Sequence, residues 1–218
     1  MTEISPRRCL RDVTPYAPGK SIASVQRELG LKHVIKLASN ENPLGPSPKA
    51  MAVYRRVEKL CSLYPEGSSP DLRQAIARFH KVSAERVLVG SGSDELIRLL
   101  CEAFLEPEDE GVASRYGFIR FRQQALMMGA RVIEVPMVDW THDLDTLAKA
   151  CSSRAKIVFV ANPNNPTGTY NTASEVRRLL GAVSPSTLVV LDEAYAQYAA
   201  DWPEYSSGIP ELVNAHEN

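Results

Sequence analysis

The stretch from Lys156 to Tyr195 constrains the fold of this chain more than any other. Ile157 to Val160 is a short apolar run bounded by Asn and Pro, and reads as a buried strand. Asn162-Pro163-Asn164-Asn165-Pro166 must then turn, because proline fixes φ and pushes the residue before it out of the helical region. Thr172 to Glu175 has the T-x-x-E spacing of a capping box, and Val176, Leu179, Leu180 and Val183 follow at the spacing of an amphipathic helix. Leu188 to Leu191 is a second buried strand with Asp192 at its carboxyl end. Strand, polar loop, helix and strand make a right-handed crossover in a parallel sheet. Ligands of such sheets bind beyond the carboxyl ends of the strands, where Asn165, Asp192 and Tyr195 all fall.

Two motifs in this stretch, Asn164-Asn165-Pro166-Thr167-Gly168 and Asp192-Glu193-Ala194-Tyr195, resemble those of the fold-type-I aminotransferases that use pyridoxal 5'-phosphate (PLP), and the histidinol-phosphate aminotransferases in particular. The resemblance implies an α/β, three-layer large domain with a mostly parallel sheet. It also implies that Asp192 pairs with the pyridine nitrogen of PLP, keeping it protonated. Asn165 and Tyr195 would bond the phenolic oxygen of the ring. Taken singly, either motif also fits an Asp that caps a loop or an Asn-Pro turn.

Other segments carry the resemblance along nearly all 218 residues. Thr14 to Gly19 and Lys36 to Pro48, where Asn, Pro and Gly crowd together, are similar to the family's amino-terminal arm. That likeness places Tyr16, Asn40 and Glu41 near the substrate; an arm that merely packs on a partner subunit is the alternative. The chain accordingly divides into an arm over residues 1–45 and a partial PLP-binding domain over 46–218. Tyr64, in Tyr-Pro-Glu-Gly, matches a tyrosine that reaches the cofactor phosphate of the other subunit in a homodimer.

Val87 to Val89 reads as a strand, and Gly90 to Ser93 as a turn into a helix beginning near Asp94. Free amides at such a helix start suit a phosphate, so the backbone of Ser93 and Asp94 would hold that of PLP. Asp94 and Glu95 also stabilise the first turn by themselves. Tyr116, just past a strand at Glu110 to Ser114, matches the family's ring-stacking aromatic; a core tyrosine is the other reading.

Helices are expected elsewhere too, from Ser47-Pro48 with an apolar stripe of Met51, Tyr54, Val57 and Cys61, and from Ser69-Pro70 with Leu72, Ala75, Ile76 and Phe79 on one face. Further strands are expected at Arg131 to Pro136, and further helices at Ile22 to Leu29, Phe118 to Met128 and Leu144 to Cys151.

Composition narrows the function classes. A net charge of −1 without basic runs leaves no electrostatic footprint for nucleic acid. Cys9, Cys61, Cys101 and Cys151 form no C-x-x-C pair, so neither a zinc site nor a disulfide framework is implied; Cys61, Cys101 and Cys151 fall on expected helices as small buried hydrophobes. No apolar run reaches membrane-spanning length, and the expected setting is soluble and cytoplasmic.

The lysine that holds PLP covalently follows the Asp-Glu-Ala-Tyr strand in the family. All the lysines here, from Lys20 to Lys156, precede it. The chain therefore resembles the first part of a family member, without the Schiff-base lysine and inactive alone. The family's next two strands would lie between the last and first strands seen here, leaving a gap with two unpaired edges. The implied reaction passes an amino group between glutamate and a phosphate-bearing keto substrate, imidazole-acetol phosphate. Relatives acting on aromatic amino acids or threonine phosphate, and a non-catalytic scaffold, are the alternatives.

Overall fold

A computed structural model describes residues 5–16 and 18–216; residues 1–4 of the arm, Ala17 within Thr14 to Gly19, and the last two residues lie outside that range. The chain forms two compact units, one of residues 15–69 and one of residues 1–14 with 70–218.

The smaller unit holds α1 (Ile22–Leu29) and α2 (Pro48–Val57). Ser21 caps α1 by accepting from the Ser24 amide at 3.1 Å, and Gly30 closes it in the left-handed conformation. The stripe expected on α2 does not form a core: Tyr54, Val57 and Cys61 are exposed and Met51 is half-buried. Among the described residues of 15–69 no sheet is present for that stripe to cover.

The larger unit is built on four parallel strands, β1 (Glu110–Ser114), β2 (Arg131–Val135), β3 (Ala155–Ala161) and β4 (Leu188–Asp192), in the order β2-β1-β3-β4. Each strand runs where the apolar pattern places it, within a few residues at its ends. In β3 every residue from Ile157 to Ala161 is buried, as a strand covered on both faces must be. Ile157, Phe159 and Ala161 meet α4 (Gly92–Phe104) and α5 (Ile119–Met128) through Ile97, Cys101, Phe121 and Ala125. Phe121 stacks on Phe159 with ring centroids 4.9 Å apart. Gly111 admits α5 to this face, since a Cβ there would stand 3.3 Å from that of Ala125.

On the other face Val158 and Val160 join α6 (Leu144–Ala150) and α7 (Ala173–Ala182) through Leu144, Leu147, Val176, Leu179 and Leu180. The capping box of α7 is present, with Glu175 accepting from the Thr172 amide at 2.7 Å. Each buried aliphatic or aromatic side chain contributes about 1.5–3 kcal/mol.

Two further expectations fail. Val87 to Val89 is not a strand. Among the described residues no strand lies beside it, and Arg73 instead donates to Val87 O at 2.8 Å and to Ala84 O of the preceding turn at 2.7 Å. Leu88 is 70% exposed. On α3 (Pro70–His80) the buried residue is Ala77, with Ile76 half-buried, whereas Leu72 and Phe79 face solvent. Helix periodicity locates a stripe but not what covers it. Cys101 is buried as expected, Cys151 is half-buried at the end of α6, and two short helices after Tyr195, α8 (Ala196–Ala199) and α9 (Glu211–Ala215), carry no strong sequence pattern.

Leu147, fully buried, and Leu88 separate these two environments. Leu147→Ala should cost about 2–5 kcal/mol in urea unfolding, whereas Leu88→Ala should stay within about 0.5 kcal/mol of the parent. Equal costs would mean that the segment around Leu88 is part of the core.

Candidate active site

The carboxyl ends of β1, β3 and β4 meet the start of α4 at one end of the sheet. Asp192 closes β4, paired with Ala161 of β3. The Asn162 amide extends the ladder by donating to Asp192 O at 2.9 Å. The Asp192 carboxylate accepts from the Ala194 amide at 3.0 Å, and the Ser93 side chain stands near it. Burial pushes its pKa above the ordinary carboxylate value, and these two neighbours only partly offset that. Among the described residues no cation contributes. A half-buried carboxylate in this condition suits a ligand that brings a positive charge.

Ser93 and Asp94 lie in the first turn of α4. The Asp94 carboxylate is held by Arg120 of α5, which bonds both of its oxygens. Glu95 folds back to accept from the Ser91 amide at 2.6 Å and the Gly92 amide donates to Gly90 O at 2.9 Å, so two amides of the Gly90–Ser93 turn are already occupied. Neither Arg120 nor the Glu95 cap was legible from the Gly-Ser-Gly-Ser pattern.

The loop after β3 is fixed by its own asparagines. Asn162 brackets the Asn171 backbone, accepting from its amide at 2.8 Å and donating to its carbonyl at 3.0 Å. Asn164 donates to Tyr116 O at 3.1 Å and to Thr167 Oγ1 at 2.8 Å, tying the loop to the segment after β1. Asn165, between these anchors, is half-buried, with no side-chain hydrogen bond among the described residues. Tyr195 stands half-buried at the start of α8. Tyr116 is about half exposed, which removes the core-tyrosine reading.

His142 is the group that sequence reasoning passed over. It is buried between strand ends, its Nδ1 2.7 Å from Ser114 Oγ and its Nε2 3.0 Å from Ala161 O. A carbonyl can only accept, so Nε2 carries the proton and Nδ1 accepts from the serine hydroxyl. Asn171 donates to the His142 carbonyl at 3.0 Å. Burial pushes its pKa down to about 4, and the ring is neutral.

Tyr16, Asn40, Glu41 and Tyr64 belong to the smaller unit. Glu41 pairs with Lys36 at 2.5 Å, Asn40 has a positive φ of 50°, and Tyr16 and Tyr64 are exposed.

Beside this end of the sheet, between the unpaired edge of β4 and residues 86–90, lies a largely apolar cleft of about 890 Å³. Leu88, Ile97, Val190, Ile209 and Leu212 line it, and Ser93 and Asp192 stand in its wall. It occupies the gap expected from the order of strands.

A family model, "Aminotransferase class I and II", matches residues 32–217. The chain belongs to the class I and II aminotransferases. Two of its relatives in that family are histidinol-phosphate aminotransferases, from Symbiobacterium thermophilum (46% identical, covering 89% of this chain and 54% of the relative) and Paramagnetospirillum magneticum (42% identical, covering 100% and 58%). The chain thus spans about half the length of the curated relatives it matches. The crystal structure of histidinol-phosphate aminotransferase from Sinorhizobium meliloti, in complex with pyridoxal-5'-phosphate, superposes with a TM-score of 0.79 at 29% identity, over 87% of this chain and 51% of that one. An aspartate aminotransferase from Rhizobium meliloti shares the fold (TM-score 0.77, 18% identity). This aminotransferase chain therefore carries the parallel-sheet part of a fold-type-I domain.

The neutral His142 makes stability depend on pH. The unfolded histidine binds a proton near pH 6.5 and the folded one only near pH 4, so stability falls as pH drops through that window. The full loss is on the order of 3 kcal/mol. Asp192 and Glu193, raised by burial, act in the opposite sense. The histidine's share is therefore read as a difference: urea unfolding from pH 7 to 4.5 should weaken the parent more steeply than His142→Gln. Parallel slopes would mean that His142 is not buried neutral.

Proposed function

We propose that this chain is the cofactor-binding part of a PLP-dependent histidinol-phosphate aminotransferase, a cytoplasmic homodimer acting in histidine biosynthesis. The relatives' names and the PLP held by the Sinorhizobium meliloti protein support the family reading. One observation in this chain carries it: Asp192 stands half-buried at the carboxyl end of β4, its pKa raised, without a cation among the described residues. When bound, PLP withdraws electrons from the substrate carbon that exchanges its amino group.

The residues divide that work. Asp192 holds a proton on the pyridine nitrogen, with its own charge oriented by the Ala194 amide. The amides of Ser93 and Asp94 take the phosphate at the start of α4. Tyr116 covers one face of the ring, and Asn165 and Tyr195 donate to its phenolic oxygen. Tyr16, Asn40 and Glu41 select the phosphate-bearing keto substrate. Tyr64 serves the phosphate site of the other subunit. The covalent lysine has no counterpart after Tyr195 within these 218 residues, so PLP binding by them is non-covalent and weak, and amino transfer from glutamate needs a lysine from elsewhere.

Asp192→Asn tests this in both directions. Removing a half-buried charge whose pKa is raised removes a cost that grows as pH rises above the ordinary carboxylate value, so the variant should unfold at higher urea than the parent at pH 7. It should also bind PLP at least ten-fold more weakly in equilibrium dialysis, because the ring nitrogen loses its counter-charge. A variant that gains stability and keeps its affinity for PLP would make Asp192 a structural cap.

A further inference from the structure

The turn between β2 and α6 is strained in a way the fold does not require. Val138 and Thr141 exchange two backbone hydrogen bonds, at 3.1 and 2.8 Å. The residues between them, Asp139 and Trp140, have φ of 47° and 61°. A two-residue turn with both φ positive favours Asn-Gly or Asp-Gly, and a bulky side chain in that conformation is an outlier. Trp140 stands where glycine is favoured. It is 62% exposed, so burial of the indole does not offset the strain. Strain of this kind persists where the surroundings over-determine it, and clusters at functional sites.

The surroundings of Trp140 lead to one residue. Its ring centroid lies 5.3 Å from that of Tyr116, tilted by 53°. Its carbonyl accepts from Thr169 Oγ1 at 2.7 Å, and that hydroxyl is 2.8 Å from Thr167 Oγ1. Thr167 Oγ1 accepts from the Asn164 amide group that also donates to Tyr116 O. Trp140 thus reaches Tyr116 by two routes, ring against ring and through the loop after β3.

We infer that Trp140 is a positioning residue, whose indole sets the tilt of the Tyr116 ring for stacking on the cofactor. This rests on the role given to Tyr116 above. The alternative role for an exposed indole at this place is direct contact with the ligand, and a double-mutant cycle separates the two.

The experiment uses the 218-residue chain with PLP as the probe. Trp140→Gly leaves an Asp-Gly turn, the pair that this geometry favours, so the variant keeps its fold and its urea midpoint does not fall. It should lose the shift that the indole imposes on the Tyr116 ring signals in NMR spectra, assigned through Tyr116→Phe. It should also bind PLP about five-fold more weakly, the scale of one aromatic pair. Trp140→Phe should restore affinity to within about two-fold of the parent, since a ring again abuts Tyr116. In a Tyr116→Ala background Trp140→Gly should have no further effect. Unchanged affinity in Trp140→Gly, an unshifted Tyr116 ring, or the same loss in the Tyr116→Ala background would each overturn the inference while leaving the cofactor site standing. A parent chain that binds no PLP would overturn the cofactor reading, and the role of Trp140 with it.

Discussion

Strand β3 is hydrogen-bonded along both edges and buried on both faces, and the rest of the larger unit is placed by it. Its side chains alternate between two helix layers, so one apolar run builds both halves of the core. A parallel sheet tolerates this only where helices cover each face, and the connections through α5, α6 and α7 supply that cover. Where β3 ends, the chain must leave the sheet with its polar groups still satisfied. Asn162 and His142 do this together. One bonds the backbone of Asn171 and the Asp192 carbonyl; the other joins Ser114 to Ala161. The candidate site inherits its rigidity from that arrangement.

The two ends of the sheet handle burial of polar groups differently. At the amino end Glu110 is buried as a charge, because Ser152 and Arg154 bond its carboxylate at 2.6 and 2.8 Å. At the carboxyl end the buried imidazole is neutral and the half-buried carboxylate of Asp192 lacks a cationic partner among the described residues. A charge that the fold itself compensates is structural; one that it leaves uncompensated is available to a ligand.

Much of this was legible in the sequence, for particular reasons. β1 to β4 and α7 follow from apolar runs and a capping box, which are local signals. Asp192 was legible because a strand's last residue is fixed by where the apolar run stops. Val87 to Val89 has an equally apolar run and failed, since strand formation depends on a neighbour that pattern does not report. The stripes on α2 and α3 were misjudged for the same reason. His142, Arg120 and Trp140 make contacts with residues distant in sequence, and no spacing announces them. Asn162 and Asn164 were read as turn residues, whereas their side chains hold the loop to its surroundings.

The strand order has a further consequence, for the time course of folding. β1 with β2, and β3 with β4, are consecutive strands joined through a single helix or a short crossover. The join between the pairs, β1 against β3, instead brings Val112 beside Val158 across α5, β2 and α6. Closing so long a loop loses entropy before any contact rewards it. A sheet of this order therefore assembles more slowly than a helical bundle of equal stability, and each pair holds an apolar edge open until it meets the other. The strand that carries the core is also the one whose late pairing exposes the chain to association with other copies of itself.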